Sequence, residues 1–420
     1  MAGPIDYEAI ALRLSRVFRP GTPIEQMDVF FGRLAEIRQV VDAINQAGQH
    51  VIIYGETGVG KTSLAQILKE KLRGVEDVPI IAPLINCDSG DSYPSIWSKV
   101  AEFIPNDPQR DATEDVEPED AETNEQSLMA ATPQDVRRFF QGVGTKGLVY
   151  VILDEFDKLS NPAARALVAD TIKLLSDRAV PVTLILVGVS DDVTGLINDH
   201  RSIERCLTQI HLGRLAIAEL SLIVKRGLAV VGMTIDDIAL SEITGLSKGL
   251  PHYTHLLSLH ACRAALDQMS MNVTIEHVQK AIKSALKSSQ ESICRDYDKA
   301  TFSTKKNTLH ERVLLACAMA VPDEFGRFQP TDVCEPMRKI TGQEFTTDRF
   351  SRHLHQFCDD DHGQVLKHIG EEYRWKYRFR NPLMQPYLLM RGLDSGAITE
   401  KDLQLDVDLN CQRRLKLPPT

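Results

Sequence analysis

The segment Gly55-Glu56-Thr57-Gly58-Val59-Gly60-Lys61-Thr62 satisfies the pattern GxxxxGK[ST]. It directly follows an apolar run, Val51-Ile52-Ile53-Tyr54, and opens a helical stretch that runs from Thr62 to Leu72. A strand, a glycine turn and a helix in that order are the setting in which this spacing cradles a phosphate chain. The glycines let successive backbone N–H groups turn toward one centre. The helix N-terminus adds unpaired donors and the positive end of its dipole. Lys61 is expected to reach the β- and γ-phosphates, and the Thr62 hydroxyl to ligate Mg²⁺. Gly55, Glu56, Thr57, Gly58, Val59, Gly60, Lys61, Thr62 and the adjacent Ser63 are therefore the candidate nucleotide-binding residues.

A second apolar run, Leu148 to Leu153, ends in Asp154-Glu155. If this strand and the one before the glycine turn share a parallel sheet, the two acids stand at its carboxyl edge beside the phosphates. Asp154 is then the candidate Mg²⁺ ligand, and Glu155 the group that orients or deprotonates the attacking water. Asp157 reads as a turn or helix-start residue. A third run, Thr183 to Val187, leads into Gly188-Val189-Ser190. Were this strand to lie between the other two, Ser190 would face the γ-phosphate and position water; the alternative is a helix N-cap. Farther on, Arg205, with Arg201 as second choice, is the candidate finger toward a neighbouring subunit's nucleotide; the alternative is a surface ion pair with Asp199 or Glu204.

Short strands alternating with helices, here also Pro79 to Ile85 and the helical stretch Pro162 to Ser176, imply an α/β fold with a buried parallel sheet. The pattern becomes wholly helical from Ala216 to Leu286. With 420 residues, two or three domains are expected. The formal charge of −10 comes mostly from one stretch. Asp107 to Glu125 carries nine acids against Arg110, or −8, which leaves −2 for the rest. That stretch reads as a solvated insertion at about 106–132, and the charge does not argue against a nucleic-acid partner. Eight cysteines without a CxxC pair fit a reducing compartment. No apolar run is long enough to span a bilayer, and Met1 to Asp6 lacks a secretory pattern. The expectation is a cytoplasmic protein with no membrane contact.

These motifs, with Phe31-Gly32-Arg33 upstream, resemble the AAA+ ATPases, in particular their initiator-like and transposition-helper-like branch. The resemblance covers roughly residues 20–290. It implies a P-loop NTPase core of αβα type with a five-stranded sheet over 1–215, a helical lid over 216–295, and ATP bound at subunit interfaces of a homo-oligomer. Phe31-Gly32-Arg33 would border the adenine. Lids of this branch often carry an arginine on the γ-phosphate after a Gly-x-Pro turn. Here Gly249-Leu250-Pro251 is followed by His252, which is largely neutral at pH 7. His252 is either a weaker phosphate contact or an ordinary helix-start residue.

Residues 300–395 read as three short helices followed by a hairpin, an arrangement that resembles a winged helix; residues 396–420 form a polar tail. In the second hairpin strand Tyr373, Trp375, Tyr377 and Phe379 share one face, and Arg374, Lys376, Arg378 and Arg380 the other. Such a row of cations can follow a phosphate backbone. Arg349 and Arg352 lie on the exposed side of the third helix and can enter a groove of double-stranded DNA. Against this, Asp359-Asp360-Asp361 abut that helix, and such modules also dock proteins. Two functions remain open. One is an ATP-hydrolysing switch that assembles with nucleotide and engages DNA or a protein. The other is a nucleotide-gated signalling or defence scaffold with little hydrolysis and a protein effector.

Overall fold

A computed structural model describes residues 6–24, 30, 32–72, 80–104, 132–143, 148–190, 196, 201–302, 309–323, 325–370 and 375–403. The acidic insertion, Phe31, Arg374 and the tail beyond 403 lie outside the described residues. The chain divides into two compact units. One comprises Pro23–Glu56 and Gly60–Leu212; the other comprises Met1–Thr22, Thr57–Val59 and Gly213–Thr420.

The first unit is built on one parallel sheet. Its strands are β1 (His50–Gly55), β2 (Ile80–Ile81), β3 (Leu84–Asn86), β4 (Leu148–Asp154), β5 (Val182–Val189) and β6 (Leu207–His211). The order is β2-β4-β5-β1-β6, with β3 also pairing β4. The six strands fill five positions, because β2 and β3 follow one another along β4 in a single register, Ile80 opposite Leu148 and Leu84 opposite Ile152. The sequence pattern predicts one strand over 79–85. Pro83 interrupts it because it has no N–H to give to the ladder, while its carbonyl still accepts the Ile152 amide at 2.9 Å. Strands β1, β4 and β5 are buried almost throughout, as continuous apolar runs between two helical layers should be.

The helices of this unit start where their sequences say they should. Pro162–Asp177 begins at Asn161, whose side chain accepts the amides of Ala163 and Ala164, with proline in the first turn. Tyr93–Phe103 begins with a reciprocal Ser92–Ser95 cap. It buries Tyr93 and Trp97, and Trp97 meets Phe140 of the helix Pro133–Val143 edge to face.

The second unit contains the helices Ile217–Val230, Asp237–Ser247, Pro251–Leu266 and Ile275–Lys287, with a two-stranded pair, β7 (Thr234–Ile235) and β8 (Asn272–Val273). The N-terminal helix Tyr7–Val17, expected in the core domain, belongs to this unit instead. Phe18 meets His255 edge to face, the Tyr7 hydroxyl donates to the Met269 carbonyl, and Arg263 donates to Ser15. Gly227 makes room for the contact: a Cβ there would stand 2.6 Å from the Phe18 ring. The C-terminal segment belongs to the same unit. Its helices His310–Met319, Cys334–Thr341 and Ser351–Gln356 precede the antiparallel pair β9 (Leu366–Ile369) and β10 (Lys376–Phe379), in the expected order. A further helix, Met384–Asp394, follows, which the sequence pattern had not signalled. Among the described residues no helix is long and apolar enough to cross a membrane.

Candidate functional site

The glycine turn joins β1 to the helix Lys61–Leu72. Glu56, Thr57, Gly58 and Val59 form its main chain, and Gly60 closes it with φ at +96°, a value that favours glycine. Gly55 is required for a different reason. A Cβ there would stand 2.3 Å from the Leu212 carbonyl oxygen, so no side chain fits between β1 and the chain leaving β6.

Lys61 is buried, and its ammonium donates to the carbonyls of Gly55 at 3.0 Å and Glu56 at 2.8 Å. Burial pushes its pKa down to about 8, against the pull of Asp157, Asp154 and Glu56. A cation so desolvated favours an anionic ligand. The Ser63 hydroxyl accepts the Ile24 amide at 3.1 Å, which fastens the segment before the first core helix.

Asp154 ends β4 and is buried. Its Oδ1 accepts the Glu155 amide at 2.8 Å. Its Oδ2 is buried and has no hydrogen-bond partner. Burial raises its pKa, while the Thr62 hydroxyl and the Glu155 amide act the other way. An orphaned carboxylate oxygen near a threonine hydroxyl is an oxygen-only donor set that fits Mg²⁺, which takes one or two carboxylates and completes its shell with water and phosphate oxygens. Among the described residues no group of three His, Cys, Asp or Glu side chains could hold a metal ion, so phosphate oxygens would have to share in holding it.

Glu155 lies just past the strand with φ +55° and ψ +32°, a left-handed conformation uncommon for a residue with a side chain. Its carboxylate pairs with Lys158 at 2.7 Å. The sheet order puts β5 between β4 and β1, as the reading of Ser190 required. Val189, the last residue of β5, stands opposite Gly55, so Ser190 leaves the sheet beside the start of the glycine turn. The N-cap alternative for Ser190 depends on residues outside the described ones.

Two other candidates are engaged locally. Arg205 lies in the 3-10 segment Arg201–Cys206 with its side chain 71% exposed and paired to Asp177 at 2.6 Å, a partner the sequence reading did not name; Asp199 lies outside the described residues. His252 gives its Nδ1 to a 2.7 Å contact with the Pro20 carbonyl, and its ring meets Tyr253 edge to face. Burial lowers its pKa. Its observed role is to hold the N-terminal segment to the helix Pro251–Leu266.

Three of the four cations expected in a row on the second hairpin strand fall on described residues. Arg378 is buried, Lys376 pairs with Asp323 at 3.2 Å, Arg380 bonds to Gln364, and Arg374 lies outside the described residues. Both faces of the last residues of the strand are covered: Tyr377, Arg378 and Phe379 are all buried. Arg349 and Arg352 are exposed as expected, with Arg349 stacked on Phe345 at 4.4 Å.

A residue the motifs did not assign is Asp157. The 3-10 turn Phe156–Lys158 contains it, as its turn-like sequence suggested, but its side chain reaches across to accept the Val189 amide at 2.7 Å. No signal in the sequence links positions 157 and 189.

A parallel αβα sheet in order β2-β4-β5-β1-β6, with a glycine turn after β1 and buried acid at the end of β4, defines a P-loop NTPase. The chain belongs to the nSTAND1 family, described as novel STAND NTPase 1, which matches residues 23–320. It is thus a nucleoside triphosphatase of the STAND type. No curated protein is significantly similar to it. Among solved structures it is similar to the ORC2 protein of Aeropyrum pernix in its ADPNP–ADP complexes, with 14% identity and a TM-score of 0.51 over 94% of this chain and 98% of that one. It is also similar to the Walker-type ATPase PABY2304 of Pyrococcus abyssi, with 15% identity and a TM-score of 0.53 over 89% and 99% of the two chains. These two likenesses establish a shared fold, the one the initiator-like resemblance implied.

Proposed function

We propose that the protein is a magnesium-dependent ATPase that works as a switch, binding ATP on the glycine turn and changing its assembly or partner state on hydrolysis. The observation that carries this reading is the pairing of opposites at one edge of the sheet: a buried, desolvated ammonium at Lys61 and a buried carboxylate oxygen on Asp154 without a partner. The ammonium has carbonyl oxygens as its hydrogen-bond partners and Asp154 Oδ2 has none, and a triphosphate with its cation would give each an oppositely charged partner. Similarity to an ADPNP–ADP complex and to a Walker-type ATPase supports adenine as the base.

In this reading the main chain of Gly55 to Gly60 and the Lys61 ammonium hold the phosphates, and Thr62 and Asp154 hold the metal. When bound, Mg²⁺ would neutralise charge on the phosphate oxygens. Glu155 orients the attacking water and takes its proton. For that, the carboxylate must leave Lys158, an exposed pair of small energy. Ser190 donates a hydrogen bond near the terminal phosphate. Arg205, exposed on the unit's surface, acts on the nucleotide of a neighbouring copy, so hydrolysis follows assembly. The C-terminal segment, with its three helices and hairpin, serves as a winged-helix-like docking module. The burial of Arg378 and the pairing of Lys376 favour a protein partner over a DNA backbone.

A second reading, a nucleotide-gated scaffold with slow turnover, draws on one observation: both Glu155 and Arg205 are held in local ion pairs. The deciding experiment measures ATP binding and single-turnover hydrolysis for the wild type and for Lys61→Ala, with Mg²⁺ and with chelator. The switch reading requires Mg²⁺-dependent binding that Lys61→Ala abolishes, and hydrolysis that accelerates with protein concentration. Binding that Lys61→Ala leaves intact sinks it, and binding without hydrolysis leaves the scaffold.

A further inference from the structure

Strand β5 outruns its neighbour. The β4–β5 register ends at Leu153 opposite Leu186, whereas the β1–β5 register continues to Gly55 opposite Val189. Beyond Leu186 the β4 side of β5 therefore has no strand to accept its amides, and at Val189, which is 41% exposed, the acceptor is either water or a side chain. Asp157 supplies the acceptor. Its Oδ1 takes the Val189 N–H at 2.7 Å, one residue before Ser190.

The turn carrying Asp157 is itself fixed. Arg165 donates through Nη2 to the Asp157 carbonyl at 2.8 Å and through Nε to the Leu159 carbonyl at 2.6 Å. The Lys158 amide donates back to the Glu155 carbonyl at 2.8 Å. Gly188 allows the close approach, since a Cβ there would stand 3.1 Å from both the amide nitrogen and Oδ1 of Asp157. Glu155 sits two residues before Asp157, and Ser190 one residue after Val189. A single carboxylate thus joins the segments that carry both.

We propose that Asp157 is a positioning residue for hydrolysis: by replacing the missing strand at Val189, it fixes Glu155 and Ser190 relative to one another. The inference rests on the reading of Glu155 and Ser190 as the groups that orient water. Asp157 touches neither water nor nucleotide in this role; it acts through the two residues it joins. An asparagine at 157 retains an oxygen that accepts the Val189 N–H, whereas alanine removes it.

The test compares Asp157→Ala and Asp157→Asn for steady-state ATP hydrolysis, affinity for a fluorescent ATP analogue, and hydrogen exchange of the peptide containing Val189. The expected result is a kcat lowered roughly 10²-fold in Asp157→Ala, with KM and affinity within about threefold of wild type. Asp157→Asn should recover most of the rate, and the Val189 amide should lose protection in the alanine variant alone. In a Glu155→Gln background Asp157→Ala should cost little more, because the two act as one unit. Unchanged turnover in Asp157→Ala overturns the proposal. So does a parallel loss of affinity and kcat, or equal damage in both variants with Val189 still protected. Wild-type protein without turnover overturns the Glu155 reading and this proposal with it; normal wild-type turnover with an unaffected Asp157→Ala overturns this proposal alone.

Discussion

The Glu155 amide donates to Asp154 Oδ1 at 2.8 Å, which leaves Oδ2 as a buried acceptor with nothing to accept from. One oxygen is used by the strand end and the other is held ready. Burial raises the pKa of Asp154, against the Thr62 hydroxyl and the Glu155 amide, the direction expected where a carboxylate is withdrawn from water. A site that strains the fold for function should relax when the charge is removed.

Asp154→Asn should therefore raise the thermal midpoint in chelator by a few degrees while weakening Mg²⁺-dependent nucleotide affinity by at least about tenfold. Thermal unfolding in EDTA and a nucleotide titration with and without Mg²⁺ check the two halves. A lower midpoint, or an affinity indifferent to both Mg²⁺ and the substitution, would remove Asp154 from the metal role.

Glu155 combines an unfavourable backbone with an ion-paired side chain. A non-glycine residue in the left-handed region costs on the order of 1 kcal/mol. Glu155→Gly should relieve that strain and stabilise the protein by about that amount, with hydrolysis lost. Glu155→Gln keeps the backbone cost and should slow hydrolysis by roughly 10²–10⁴-fold while ATP still binds. Denaturant unfolding of both variants, beside single-turnover hydrolysis, separates the two effects. A Glu155→Gly protein that is less stable than wild type would show that the turn is not strained.

Local features of the site were legible in the sequence. The glycine turn, the strand before it and the acids after β4 are fixed by neighbours in the chain, and continuous apolar runs identify buried parallel strands. What was not legible depends on partners far along the chain. The helix Tyr7–Val17 packs on residues more than 200 positions away, through Phe18 and His255. Ser63 serves Ile24, and Asp157 serves Val189. Arg378 obeys strand alternation yet is buried, because alternation assigns a residue to a face without saying what covers that face. The helix Met384–Asp394 has Pro386 in its first turn, where proline is tolerated, so a residue that reads as a breaker starts a helix instead.

Arg205 offers a clean separation of stability from function. Its ion pair with Asp177 joins side chains 71% and 43% exposed, and such pairs contribute roughly 0–1 kcal/mol. Arg205→Ala should leave the thermal midpoint within about a degree or two of wild type. As a finger it should cost about 10³-fold or more in turnover at concentrations where the protein assembles. Asp177→Ala, which frees the guanidinium, should keep or raise turnover. Mixing Arg205→Ala with Lys61→Ala should restore activity, since each copy then supplies what the other lacks. Failure of such mixtures to recover turnover, with wild type fully active, would place Arg205 outside the site.

Glu242 gives a pH prediction free of the nucleotide site. It lies on the helix Asp237–Ser247, buried, with Oε1 lacking a hydrogen bond. Burial, with some repulsion from Glu400, pushes its pKa from 4.5 up to about 7. Below pH 4.5 the carboxyl is protonated whether the chain is folded or not, so it has no effect. Between 4.5 and 7 the folded state keeps a proton that the unfolded state has released, so stability falls as pH rises. Above pH 7 the full cost is present, at most about 3 kcal/mol. Glu242→Gln removes the charge and should stabilise the protein at pH 8 but not at pH 4. Urea unfolding at pH 4, 6 and 8 on both proteins reads the difference directly, and parallel curves for wild type and variant would show that the carboxylate reaches water in the folded state.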